Sequence, residues 1–377
     1  MNYYIIAGEA SGDLHASNLM KEIKKLDSKF QFRCWGGDRM EKEGAVLVKH
    51  YRDLAFMGFT EVVMNLKTIL RNISFCKEDV LKNRPDVLIL VDYPGFNLRI
   101  AEFAKQNNIN VFYYISPQVW AWKQSRVEKI KRFVDRMFVI LPFEKEFYKK
   151  FDYEVDFVGH PLLDAIEQQK SNSSERQSLL KKNNLVDKPI VALLPGSRRQ
   201  EISTMLPLML SVTTDFPDHQ FVIAAAPSVP ENFYKELIGD KKISLISDQT
   251  YSLLLNAEAA LVTSGTATLE TALFEVPEVV CYKGGSISYM IARSLVKVKY
   301  ISLVNLIMDR EVVKELIQSD LNTSNMNTEL KKILDLENRK KMKADFLELK
   351  QKLGGSGASA KAAKLMVEYL IDSLKKK

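Results

Sequence analysis

Short apolar runs separated by stretches of helical period recur from the first residues, and they come in two successive series. Residues 3–7, 86–91, 111–115 and 137–141 make up the first. Runs apolar at nearly every position read as strands covered on both faces, the product of parallel sheets with crossover helices. A polar, helix-prone stretch over 164–188 interrupts the pattern, as an interdomain link should. The second series then occupies 190–194, 220–226, 259–263 and 278–282. The chain is therefore predicted to be α/β, with two Rossmann-like doubly wound domains. Its 377 residues suit two such domains at ~100–200 residues each. Residues 1–165 and 166–350 are expected to be the domains. A C-terminal helical segment, 351–377, follows the break at Gly354-Gly355-Ser356-Gly357 and is expected to pack back on the first domain.

Bulk properties narrow the function classes. Hydrophobic residues at 46% and charged residues at 27% exclude wholesale disorder. Cys34, Cys76 and Cys281 have neither paired spacing nor a histidine cluster beside them, so neither a disulfide framework nor a zinc site is expected. The opening Met1-Asn2-Tyr3-Tyr4 lacks a basic leader, and no apolar run reaches the ~18–20 residues of a spanning helix. A cytoplasmic chain that touches a membrane without crossing it fits both points. A net charge of +7 suits anionic partners, yet no nucleic-acid signature accompanies it, so no nucleic acid is expected.

Four glycine- or turn-bearing segments follow strands, where a parallel sheet places ligands. The first is Gly8-Glu9-Ala10-Ser11-Gly12-Asp13, a close-approach turn without a dinucleotide fingerprint; Ser11 or Asp13 capping a helix is its ordinary reading. In the second, Asp92 ends an apolar strand before Tyr93-Pro94-Gly95. Its carboxylate either takes a proton from an attacking hydroxyl or merely accepts hydrogen bonds from the turn. The third, Gly196-Ser197-Arg198, offers backbone amides and a guanidinium to a phosphate, and it is not a Walker loop. The fourth, Ser264-Gly265-Thr266-Ala267-Thr268, offers amides and hydroxyls to a pyrophosphate, with Glu270 a helical turn further on for ribose.

Together with Ser116-Pro117-Gln118-Val119-Trp120-Ala121-Trp122 and Phe157-Val158-Gly159-His160-Pro161-Leu162, these segments resemble the lipid-A-disaccharide synthase family. The segments stand in the family's order and span most of the chain. The resemblance implies the GT-B architecture, two Rossmann-like domains facing each other across a cleft, and an inverting glycosyltransferase. It implies UDP-2,3-diacylglucosamine as donor and 2,3-diacylglucosamine 1-phosphate (lipid X) as acceptor, a β-1,6-linked disaccharide 1-phosphate and UDP as products, and no metal or other cofactor. It further implies Asp92 as the base, Arg198 with Ser264–Thr268 on the diphosphate, Glu270 on the ribose, and Asn305 and Gln318 toward the nucleotide. Gly95 stands where some relatives carry an acidic residue, which bears on the geometry of the turn after Asp92. Of the four histidines, His160 has the best claim to a place near the cleft, with a structural role its equal alternative.

An acylated substrate also needs an apolar face. Phe56, Met57, Phe59, Val62, Val63 and Leu66 lie in a stretch that reads either as a core helix or as an interfacial one. Between Trp120 and Arg136 six cations, Lys123 and Arg126 among them, stand against two anions beside Trp120 and Trp122. That run is either a solvated helix face or a surface for anionic lipid, peripheral at the inner membrane. A homodimer is compatible with all of this. Two other functions remain open: another lipid-acceptor glycosyltransferase, or a non-catalytic protein that binds UDP-sugar or acyl-sugar.

Overall fold

The computed structural model describes residues 1–54, 66–122, 124–171, 176–284 and 299–375, and the chain divides into two units. The first comprises Met1–Asp164 together with Leu353–Lys377, and the second is Ala165–Lys352. Among the described residues the first unit has seven strands: β1 Asn2–Ala7, β2 Gln31–Gly36, β3 Val46–His50, β4 Val87–Val91, β5 Asn110–Tyr114, β6 Arg136–Val139 and β7 Asp156–Phe157. All pair in parallel, in the order β3-β2-β1-β4-β5-β6-β7. The second unit has β8 Ile190–Leu194, β9 Gln220–Ala225, β10 Ser244–Ser247, β11 Ala257–Thr263, β12 Glu278–Tyr282 and β13 Lys314–Ile317. These too are parallel, in the order β10-β9-β8-β11-β12-β13.

Both doubly wound sheets expected from the alternation are present, and both have the dinucleotide-fold order, in which succession reverses beside the first strand. The central strands are buried along their length, as their apolar runs require: β4 and β8 expose no residue. In the first unit Tyr4, Trp35, Leu88, Leu90 and Tyr113 join one core. That core carries a satisfied polar thread. The Trp35 indole N–H donates to the Tyr4 hydroxyl (2.9 Å), which donates to Asp79 (2.7 Å), and Asp79 pairs with both arms of Arg33 (2.7 and 2.6 Å). In the second unit Val191, Leu193, Met205, Ile223 and Leu261 form the counterpart.

The helix Ala358–Lys375 belongs to the first unit and packs on the helix Ala10–Leu26. Asp164 caps it, accepting from the backbone N–H groups of Gly357 (2.6 Å) and Ser359 (2.8 Å). None of the described helices is long and apolar enough to cross a membrane.

Glu278, at the start of β12, is fully buried and neither carboxyl oxygen has a hydrogen-bond partner. Burial pushes its carboxyl well above the usual carboxylate range. A carboxyl whose folded value is raised contributes fully only below its unfolded value of 4.5, and that contribution is lost as pH rises. Glu278→Gln and Glu278→Leu should therefore be more stable at pH 7.5, with raised melting temperatures, Glu278→Leu gaining on the order of 1–3 kcal/mol of unfolding free energy. The gain should shrink toward pH 4.5. Equal or lower melting temperatures at pH 7.5 would mean the carboxyl is not an isolated burden.

Candidate active site

At a switch point, the segments leaving two neighbouring strands diverge to opposite faces and leave a crevice at the strands' carboxyl ends. In the first unit these strands are β1 and β4, with Ala7 level with Val91. Gly8 and Glu9 leave the first, and Asp92 and Tyr93 leave the second.

Asp92 and Tyr93 both have left-handed backbone, φ 45° and 49°, which costs each of order 1–3 kcal/mol unless the surroundings impose it. They do. The Asp92 N–H donates to the Tyr114 carbonyl (3.1 Å). Its carbonyl accepts from the Asn97 side chain (2.7 Å) and the Tyr113 hydroxyl (2.5 Å). The Tyr93 hydroxyl reaches the Leu54 carbonyl (3.2 Å), and its ring lies over Gly8, where a Cβ would come within 2.4 Å. Only glycine fits beneath that ring. The Asp92 carboxyl is pushed up to about 7, first by burial and then by the nearby Glu9, against one hydrogen bond from the Tyr93 backbone. A carboxylate so placed is a competent base near neutral pH. Gly95 sits in the first turn of the helix Pro94–Gln106 with open space around it, so the turn does not depend on glycine there.

Not every residue expected at this crevice belongs to it. Asp13 is buried and spent on structure: its carboxylate accepts from the N–H groups of Gly37 (2.8 Å), Met40 (3.1 Å) and Arg39 (3.2 Å), capping the helix Asp38–Lys42. It caps a helix, but a neighbouring one. Gly12 brings the helix Ala10–Leu26 against β1, where a Cβ would lie 3.2 Å from that of Ala7, and Ser11 is exposed. His160 is buried and structural. Its Nδ1 accepts from the Leu162 N–H (3.2 Å), and burial pushes its imidazole down to about 3.

Beyond β5 and β6, Ser116 bonds the Tyr148 hydroxyl (2.7 Å) and also engages Glu144. Glu144 accepts from the N–H groups of Leu141 (2.9 Å) and Ile140 (3.2 Å), and burial pushes it up to about 8. Sequence reasoning missed Glu144, Tyr113 and Asn97. The Leu-Pro-x-Glu capping pattern at 141–144 was the available signal for the first. Trp120 stands edge-on to Phe143 (4.9 Å), its indole N–H buried without a partner. Arg126 opens the helix Arg126–Phe133, and Trp122 ends the short helix Val119–Trp122. Phe56, Met57, Phe59, Val62, Val63 and Lys123 lie outside the described residues, and Leu66 begins the helix Leu66–Asn83. On that helix Leu70 and Phe75 are exposed, beside the exposed Lys67 and Arg71.

The second unit's switch point lies between β8 and β11. After β8, Gly196 turns with φ 118° and delivers Ser197 and Arg198, both exposed, to the start of the helix Arg199–Leu210. The amides expected to cradle phosphate are engaged: those of Ser197 (3.0 Å) and Arg198 (3.3 Å) donate to Glu201. After β11, Gly265 and Thr266 are exposed at the start of the helix Thr266–Leu273; the Thr268 amide donates back to the Gly265 carbonyl (3.3 Å), and the Thr266 and Ala267 amides precede the helix's own acceptors. Gly265 is extended (φ 161°). Ser264 donates its hydroxyl to the Ile301 carbonyl (3.3 Å), while Thr268 is buried and returns its hydroxyl to the Gly265 carbonyl (2.9 Å). Thr268 therefore shapes the turn, its hydroxyl proton already spent on the Gly265 carbonyl.

Asn305 also departs from expectation. It is fully buried, and all four of its hydrogen-bonding positions are used. The side-chain N–H groups donate to the Val313 carbonyl (2.8 Å) and Glu315 (2.9 Å), and the oxygen accepts from Val312 (2.7 Å) and Val313 (3.0 Å). It braces the loop, and its side chain has no hydrogen-bonding position left over. Glu315, also missed from sequence, accepts from the N–H groups of Ile301 and Ser302 (both 3.0 Å). Gln318 does offer a group: following β13 with φ 54°, it holds a side-chain N–H₂ buried with no partner. Glu270 is hydrogen-bonded to Tyr251 and pushed up to about 7 by burial.

The lipid-A-disaccharide synthetase family model matches residues 3–368. The chain belongs to that family. It is 41% identical over 367 residues to the lipid-A-disaccharide synthase of Syntrophus aciditrophicus strain SB, covering 95% of each chain. It is 39% identical over 373 residues to that of Nitrosococcus oceani, covering 97% of this chain and 95% of the relative. Among solved structures, the UDP-GlcNAc 2-epimerase of Methanocaldococcus jannaschii, in complex with UDP-GlcNAc and UDP, superposes with a TM-score of 0.65 at 15% identity. That match covers 98% of this chain and 100% of the other. The glycosyltransferase of kitacinnamycin gives 0.63 at 13%, covering 98% of this chain and 99% of the other. At such identities the likeness is one of fold, and the fold of this family member is GT-B, with two parallel Rossmann-like sheets.

Replacing Asp92 by Asn should lower kcat by ~10²–10⁴ and leave UDP binding intact. The pH profile of kcat/KM should rise through about pH 7 as Asp92 loses its proton. Glu9→Gln removes a neighbouring charge and should move that limb to lower pH. Loss of UDP binding in Asp92→Asn, or a limb unmoved by Glu9→Gln, would assign Asp92 to structure.

Proposed function

We propose that this chain passes 2,3-diacylglucosamine from UDP to the 6-hydroxyl of 2,3-diacylglucosamine 1-phosphate, giving a β-1,6-linked disaccharide 1-phosphate and UDP. As a family member the chain is a glycosyltransferase of lipid A biosynthesis. The proposal adds the two substrates and the residues that serve them. One observation carries the chemistry: a carboxyl pushed up to about 7 at the switch point of the first unit, on a turn the fold holds against its own strain.

Asp92 takes the proton of the acceptor hydroxyl as that oxygen bonds to the anomeric carbon. The bond from that carbon to the diphosphate breaks on the opposite face, which inverts the centre, and UDP leaves with the bonding pair. In the second unit Arg198 and the first amides of the helix Thr266–Leu273 meet the diphosphate charge. Gln318 offers its unpaired N–H₂ to the nucleotide, and Glu270 accepts from ribose. The first unit thus serves the acceptor and the second the donor. The exposed Leu70 and Phe75 with Lys67 and Arg71 suit contact with an anionic membrane surface, where both acylated substrates reside. This reading makes the protein peripheral at the inner membrane, on its cytoplasmic side.

Purified protein given both lipid substrates should release UDP in step with disaccharide formation, and neither lipid alone should support it. Arg198→Met should weaken UDP binding roughly 10- to 100-fold, the worth of a charged hydrogen bond. No UDP release from the acylated pair would overturn the substrate assignment.

A further inference from the structure

The loop at 196–198 contains more than a phosphate site requires. Glu201 lies in the first turn of the helix Arg199–Leu210, and its carboxylate folds back over the loop. One oxygen accepts from the Ser197 (3.0 Å) and Arg198 (3.3 Å) amides, and the other stands 3.5 Å from the Arg198 guanidinium. In an ordinary capping box the N3 carboxylate reaches back only to the cap residue's amide. Here the carboxylate takes a second amide and the cap residue's own side chain. Gly196 is shaped to allow it, because a Cβ there would come within 2.8 Å of both the Glu201 Cβ and its carboxylate oxygen. From the other side the Ser228 hydroxyl holds the Ser197 carbonyl (3.2 Å).

The two adjacent arginines are also separated. Arg199 lies over the Phe233 ring at 5.1 Å, while Arg198 is paired with Glu201. An anion arriving at this loop therefore meets amides already bonded to a carboxylate and one guanidinium set in direction by it. We infer that Glu201 is a positioning residue for donor binding: it acts through Arg198, so the diphosphate is met by a preset guanidinium and not by the loop amides. This rests on the assignment of the donor to Arg198.

Titration calorimetry with UDP on the full chain tests it, using Arg198→Met, Glu201→Ala, Glu201→Gln and the double variant Arg198→Met/Glu201→Ala. Glu201→Ala should weaken UDP binding roughly tenfold, within the coupling of contacting residues. Glu201→Gln should lose less, since its amide oxygen can still accept from both backbone N–H groups. In the Arg198→Met background, Glu201→Ala should change UDP affinity less than about twofold, although it still lowers the melting temperature through the lost cap. That split between affinity and stability is what a purely structural role would not produce. If Glu201→Ala costs as much affinity in the Arg198→Met background as in the native one, the positioning role is wrong while the donor site stands. If Glu201→Ala tightens UDP binding, the carboxylate is a competitor for the site and the inference is likewise overturned. If Arg198→Met binds UDP as tightly as the native chain, the donor assignment itself falls and the inference with it.

Discussion

The reversal of strand order beside the first strand of each sheet is the constraint on which the remaining assignments depend. Parallel strands need crossover connections, and the handedness of those crossovers sends the chain to one face on one side of β1 and to the other face beyond β4. The segments leaving β1 and β4 part at that point, and so do those leaving β8 and β11. Asp92 and Glu9 become neighbours for this reason, though 83 positions apart by their numbers. The same topology in the second unit puts Arg198 and the start of the helix Thr266–Leu273 on one edge.

Within these edges, the number of N–H groups each carboxylate accepts separates framework from chemistry. Asp13 takes three backbone amides, Glu201 and Glu315 two each, and Asp164 two. Groups so bonded are struts, and each fixes a loop that lacks regular structure of its own. Asp92 is different. Its backbone is held by several neighbours, but among the described residues its carboxyl receives one backbone hydrogen bond, from Tyr93, and faces burial and a second carboxylate. The strain is placed in the main chain and the raised carboxyl in the side chain.

Much of this was legible in the residues. The largely buried strands β1, β4, β5, β8, β11 and β12 announce themselves as apolar runs, and the loops that follow several of them were read from glycine and proline. The strands that escaped notice are of another kind. β3 and β10 are edge strands, β7 has only two residues, and β13 begins Lys314-Glu315. β2 carries Arg33 in mid-strand, tolerable because Asp79 from a distant helix neutralises it. Nor could spacing reveal that Asn305 and Thr268 point inward, or that Glu201 reaches the amides assigned to phosphate. Such facts depend on which acceptor lies nearest in space, and the motif is equally conspicuous either way.

The chain's end adds a further dependence. The second unit is an insertion in the first, since Leu353–Lys377 returns to pack with Met1–Asp164. The return is fastened where the chain leaves and re-enters: Gly159 and Gly354 pack at a distance that admits no Cβ without displacement, and the His160 N–H donates to the Leu353 carbonyl (3.1 Å). Arg136, at the start of β6, then lies over the Tyr369 ring at 3.9 Å, and Lys361 donates to the Phe157 carbonyl (2.8 Å). The helix Ala358–Lys375 therefore covers apolar surface on the helix Ala10–Leu26, which leaves the Gly8-Glu9 turn. The edge of the first unit that carries Glu9 and Asp92 is supported from behind by residues that come last in the chain.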